Sequence, residues 1–264
     1  MKKNLLILLS LGLLSLTTTS NAKSIRIGTE GAYPPWNNLN SAGELEGAEI
    51  DFGNEACSRM GVDCEWVTQD WDGIIPALLQ GKYDIIIAGM SITEERKEKV
   101  NFTNGYMTDG ARFAVMKGSG LEGLSVAKFT GGINKVNLNN AGGKEQAAIG
   151  QLIAAMSGAT VCVQSSTIHQ NFLEKHMSGA VKVRLYQSVD DHNLDLRAGR
   201  CDAVLADVGS IIDFMESGGG VNVAFTGPTF SGGVFGDGVG GAIRKEDGDI
   251  LEMWNKVIAE MSAD

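Results

Sequence analysis

The sequence has 264 residues, with 32 acidic and 22 basic side chains and a formal net charge of −10. A chain this acidic repels phosphate backbones, which excludes a role built on nucleic-acid binding. Its length fits two small lobes or one large domain.

The first element is MKKNLLILLSLGLLSLTTTSNA: two lysines, an apolar run from Leu5, then small polar residues to Ala22. This is the pattern of a secretory signal peptide cleaved after Ala22. A membrane anchor is the competing reading, but the apolar run is short for a span. Cleavage removes Lys2 and Lys3, which moves the net charge from −10 to about −12. An exported, soluble chain is expected.

From Ser24 apolar strands alternate with amphipathic helices. SIRIGTE is a strand, GAEIDFGNEACSRMG a helix ending at Gly61, and CEWVTQD a strand. WDGIIPALLQGK is a helix stopped by Gly81, and YDIIIAG is a strand with no polar face. Two-sided apolar strands joined through helices predict an α/β fold, a parallel sheet covered on both faces.

A helix follows Thr93, a good N-cap, with Glu94 and Glu95 suited to its positive end. Arg96 sits in the same turn, where a cation opposes the helix dipole. It is either a surface residue paired with Glu95 or Asp84, or it awaits an anion.

A second α/β run begins at ARFAVMKG. It continues through ATVCVQSST, the helix IHQNFLEKHM, VKVRLYQ, the helix VDDHNLDLRAGR and the strand CDAVLAD. The glycine- and asparagine-rich stretch 118–158 reads as a surface insertion, part loop and part helix in EQAAIGQLIAAM. The C-terminal segment reads as a strand followed by an amphipathic helix. GDGVGG there fits a G-x-G-x-x-G string, but it follows no strand and opens no helix, which excludes a dinucleotide site.

Four cysteines are carried into an oxidising compartment. Cys57 and Cys64 flank the turn at Gly61, which predicts a local disulfide. A metal site would need further ligands, and His169, His176 and His192 all lie far along the chain. Cys162 and Cys201 either pair or remain as buried thiols.

Several long motifs in order resemble the periplasmic solute-binding proteins of polar amino acid ABC importers. They are IGTEGAYPPW, the stretch from GAEIDFGNEACSRMG to GMSITEER, LRAGRCDAVLAD and FGDGVGGAIRKED. The likeness is strongest to the lysine/arginine/ornithine, histidine and opine (octopine, nopaline) binding group. It runs from Ile25 to the C-terminus and is weakest in the insertion.

The resemblance implies two α/β lobes joined by two extended hinge strands, with ligand held between them. Lobe one falls at 23–108 and 236–264, and lobe two at 109–235. The family pattern carries one more turn and helix than the sequence to Asp264, so a truncation or an uncovered first lobe is expected.

The resemblance also implies roles residue by residue. Arg96 grips the ligand α-carboxylate with two parallel guanidinium donors, over free N–H groups of the helix start. Ser91 adds a hydroxyl, and the Gly89 carbonyl accepts from the ammonium. Ala88, Gly89 and Met90 complete that strand end. Serines are common in the family where Ala88 and Gly89 stand, so only a backbone role survives there.

Asp207 in VLADVG matches the carboxylate that pairs with the α-ammonium. Opine binders lack that acid, so Asp207 favours an ordinary amino acid. Glu30, Tyr33 and Trp71 form the side-chain pocket, in which a carboxylate beside aromatic faces suits a guanidinium or ammonium. Gln164, Thr167 and His169 face the cleft from VQSSTIHQNF, which carries one extra residue in the manner of the opine group.

The expectation is a monomeric periplasmic binding protein for a cationic L-amino acid, with no cofactor and no enzymatic activity. Arginine ranks first, then ornithine, lysine or histidine, with an opine as the alternative. The partner is an inner-membrane ABC permease. The rivals are an exported dehydratase on the same fold, with Glu30, Asp207 or His169 as acid or base, and an extracellular sensor module.

Overall fold

The computed structural model describes residues 24–124 and 134–263. The expected signal peptide lies outside the described residues, as does 125–133 of the expected insertion.

Five strands form the first sheet, in the spatial order Asp63–Thr68, Ser24–Thr29, Ile85–Ile86, Ala242–Ile243, Asn101–Phe102. The first three are parallel, and Ala242–Ile243 runs antiparallel to both its neighbours. The second sheet has six strands: Lys182–Tyr186, Thr160–Gln164, Ala203–Asp207, Ala111–Met116, Val223–Ser231 and Lys135–Asn137. Here Ala111–Met116 is the antiparallel member, pairing with strands on either side. Each sheet thus has a parallel core and gains antiparallel strands where the chain arrives from the other sheet.

The helix Ala48–Met60 ends at Gly61, whose left-handed conformation (φ 66°) returns its N–H to the Cys57 and Ser58 carbonyls. Glycine adopts that conformation without a Cβ penalty. Near the C-terminus, the helix Gly248–Met261 buries Ile250, Trp254, Val257 and Ile258. Ile250, Trp254 and Val257 pack with Ile25 and Ile27 of the first sheet. Each such side chain contributes roughly 1.5–3 kcal/mol.

Several expected elements are altered. WDGIIPALLQGK divides into a 3-10 turn at Trp71–Gly73 and a helix at Ile74–Leu79. YDIIIAG pairs as a strand only at Ile85–Ile86. A small sheet of Ala32–Tyr33, Asn37–Leu39 and Leu45–Glu46 was not anticipated. The stretch 118–158 is more than a surface insertion. Its Lys135–Asn137 joins the second sheet, and its helix Gly143–Ala155 buries Ala148, Ile149 and Leu152. Ile149 and Leu152 reach the same core as Phe113, Phe172 and Phe230 because they share one face of the helix.

The chain crosses between the sheets twice. The two crossings are stitched together by Tyr106 N–H to the Val239 carbonyl (3.0 Å) and Val239 N–H to the Met107 carbonyl (2.8 Å). Cys57 and Cys64 form a disulfide as expected, and Cys162 pairs with Cys201, which settles the alternative left open by the sequence.

Candidate functional site

The parallel strands of both sheets point their carboxyl ends at one cleft, the place where open α/β sheets take ligands. Ser24–Thr29 leads to Glu30, Ile85–Ile86 to Ala88–Ser91, Thr160–Gln164 to Thr167, and Ala203–Asp207 ends at Asp207 itself. The cleft encloses about 440 Å³ of free space, mouth included. Eleven of the expected residues line it: Glu30, Tyr33, Trp71, Ala88, Gly89, Ser91, Arg96, Gln164, Thr167, His169 and Asp207.

Met90 does not. Met90 continues the alternation of Ile86 and Ala88, and its side chain packs with theirs in the core. The Met90 carbonyl accepts from Gly240 N–H at 3.1 Å.

Arg96 is committed to the cleft. Its Nη1 donates to the Ser91 carbonyl at 3.0 Å, and its Cζ lies 5.2 Å from the Trp71 ring centroid. The competing partners are engaged elsewhere. Asp84 pairs with Arg26 and Arg244, and Glu95 accepts from Asn171. Burial lowers the Arg96 pKa to about 10, which leaves the guanidinium charged. The helix it opens, Glu94–Lys97, is only four residues long, and Thr93 Oγ1 already accepts from Arg96 N–H. The expected help from a helix dipole is therefore small, and the fork carries the anion-binding capacity.

The part of the cleft around Glu30 is acidic. Burial raises Glu30 to about 7 despite the hydrogen bond from Gln164, and Asp70, Asp190 and Asp72 push it the same way. Gln164 Nε2 donates to Glu30 Oε1 at 2.6 Å. A cation entering here would relieve the mutual repulsion.

Polar contacts bridge the two sides. Tyr33 donates to Asp207 Oδ2, Trp71 Nε1 donates to the Ser166 carbonyl at 3.1 Å, and Ser165 Oγ donates to Asp72 Oδ1 at 2.9 Å. Ser166 is left-handed (φ 57°) without being glycine, a strained conformation typical of functional corners. Burial opposes the charge on Asp207, but His169, the Tyr33 hydroxyl and Arg96 outweigh it and lower the pKa. His169 Nε2 lies 3.3 Å from Asp207 Oδ1.

Sequence reasoning missed Ile168, Val189, His192, Leu205 and Ala206, all of which line the cleft. It also missed Glu49, a buried carboxylate behind it. Glu49 accepts from Gly89 N–H (2.7 Å), the Tyr106 hydroxyl (2.5 Å) and Asn37 Nδ2 (2.7 Å). Burial raises its pKa, and those three donors act in the opposite direction.

The family of bacterial extracellular solute-binding proteins, family 3, matches residues 25–264. The chain belongs to that family. It is 40% identical over 225 residues to the octopine-binding periplasmic protein of Rhizobium meliloti, covering 85% of this chain and 74% of that one. It is 37% identical over 258 residues to the L-arginine-binding protein of Pseudomonas aeruginosa, covering 97% of this chain and 89% of that one. An ancestral arginine-binding protein, solved bound to arginine, superposes with a TM-score of 0.74 at 31% identity. That match covers 91% of this chain and 93% of the other.

Proposed function

We propose that this chain is the periplasmic binding component of an ABC importer for a cationic L-amino acid, arginine first. The observation that carries the reading is the polarity of the cleft. Glu95 and Asp207 act on Arg96 while Glu30 does not, and Glu30 sits among Asp70, Asp72 and Asp190, so the anion-seeking and cation-seeking groups of the cleft stand apart. A ligand with a carboxylate at one end and a cation at the other matches both. Asp207 then takes the α-ammonium, and the Trp71 face stacks on a planar guanidinium.

The two halves, 23–108 with 236–264 and 109–235, act as lobes. Ligand bridging them shifts an open–closed equilibrium toward closed, and the closed form docks on an inner-membrane permease. Affinity at the micromolar level corresponds to about −8 kcal/mol. One bidentate ion pair, one ammonium pair and a stacked side chain reach that scale.

An opine fits less well. The cavity adjoining Tyr33, Ser91 and Asp207 is where a second carboxylate would project, and its lining includes Asp109, Asp207 and Asp237 but no Lys or Arg. One observation favours a second reading. A Glu30 carboxyl raised to about 7 also suits proton transfer, as a dehydratase acting on a small carboxylated ring would require.

Calorimetric titration with arginine, ornithine, lysine, histidine, octopine, glutamine and glutamate tests the proposal. Arginine should bind tightest and unchanged in chemistry. Preference for glutamate, or turnover of a ring carboxylate, would overturn it.

A further inference from the structure

Both ring nitrogens of His192 are buried without a hydrogen-bond partner. The residue is 0% exposed in the helix Val189–Arg197, and it lines the same cleft as Glu30 and Gln164. One side of the ring meets the edge of Tyr186, with centroids 6.3 Å apart at 81°. Asn193 acts on the ring as a weak hydrogen-bonding neighbour, but neither ring nitrogen reaches full hydrogen-bond geometry with it. An imidazole in this position has a donor and a lone pair to satisfy, and leaving buried polar atoms unpaired is unfavourable. The side open to a partner is the cleft.

We propose that His192 is a specificity-determining ligand contact whose neutral imidazole accepts a hydrogen bond from the cationic end of the amino acid, beside Glu30. This rests on the functional reading above and sharpens it. Val189, three residues before His192 on the same helix face, lines the cleft with it and with Glu30, so that face brings His192 to the pocket that holds Glu30. Burial, then the charge of His169, lowers the His192 pKa to about 3, so its lone pair stays available at neutral pH.

A guanidinium offers five N–H donors in one plane. Glu30 takes two of them in parallel, which leaves others for a second acceptor. An ammonium must direct its donors from a single nitrogen and spans Glu30 and His192 less easily. His192 therefore favours arginine over ornithine and lysine.

The experiment has two arms. Calorimetry on wild type with L-arginine, L-ornithine, L-lysine and L-histidine first decides the functional reading. The same titrations on His192→Phe then decide the contact. Arginine affinity should fall about ten- to hundredfold, the scale of one hydrogen bond to a charged group, and ornithine affinity should fall less. The melting temperature without amino acid should hold or rise, because an unpaired buried imidazole has been replaced by an apolar ring. Arginine affinity within twofold of wild type, or a lowered melting temperature with unchanged affinity, would overturn the proposal.

Imidazole-¹⁵N NMR of the wild-type protein covers the case of a variant that does not fold. Addition of a binding amino acid from the same set should move a His192 nitrogen resonance. No movement on saturation overturns the contact while leaving the functional reading intact. If none of the four binds, both fall.

Discussion

Tyr33 donates its phenolic proton to Asp207 across the cleft, and the same ring lies against Gly89. A Cβ built on Gly89 would stand 2.6 Å from Tyr33 Cε1. One side chain therefore requires a glycine on its own side of the cleft and, after His169, helps to hold a carboxylate ionised on the other.

A serine at position 89 should therefore be harmful. Gly89→Ser pushes Tyr33 away from Asp207 and places a side chain at φ 61°. The expected result is a loss of about 1–3 kcal/mol of stability, with weaker binding of every amino acid. Thermal melts and calorimetry read both effects. Wild-type values in both would show that the ring moves freely.

Arg96→Lys preserves the charge and removes the fork. Affinity for all ligands carrying an α-carboxylate should fall by about tenfold or more, and the fold should survive because the residue borders the cleft. Calorimetry paired with circular dichroism decides the point. Unchanged affinity would remove Arg96 from the carboxylate site.

Glu30 makes a pH prediction. Its pKa rises from 4.5 to about 7 on folding, so the native state holds the proton more tightly than the unfolded chain. The stability this confers is full below the unfolded value and is lost as pH rises through about 7, a change on the order of 3 kcal/mol. A cationic ligand needs the carboxylate, so arginine affinity should rise over the same window. Glu30→Gln should flatten both profiles relative to wild type, which separates Glu30 from Asp109, itself raised to about 6 chiefly by burial. Parallel profiles for the two proteins would sink the assignment.

The two disulfides should differ in weight. They close loops with sequence separations of 7 and 39 residues. Loop-closure entropy assigns them about 2.4 and about 3.9 kcal/mol. Replacing Cys162 and Cys201 together by alanine should lower the melting temperature more than replacing Cys57 and Cys64. The reverse order would place the stabilisation elsewhere than in chain entropy.

Much of this was legible in the sequence because strand ends and helix starts carry recognisable residues. Glu30, Arg96 and Asp207 each terminate or follow an apolar run, and the fold turns such positions into one cleft. Met90 follows the alternation of Ile86 and Ala88 into the core, a period of two that was legible in the sequence but was outweighed by the family resemblance. His192 sits one turn after Val189, so the two share a face. That this face reaches the cleft depends on how the helix packs near Ala32–Tyr33, a contact distant in sequence. Lys135–Asn137 was missed for a simpler reason: three residues with one apolar member give no periodicity to read.

Glu49 has a mechanical consequence. Its carboxylate binds Gly89 at the cleft floor and Tyr106 where the chain leaves the first sheet, so both are fixed to one helix. A movement that opened the cleft while sparing this anchor would bend the chain beyond Tyr106. Arg96, Ser91 and Trp71 would then keep their mutual geometry throughout. An arriving amino acid would be moored by its carboxylate to a stationary quay, and the far side would swing in around a guest already seated.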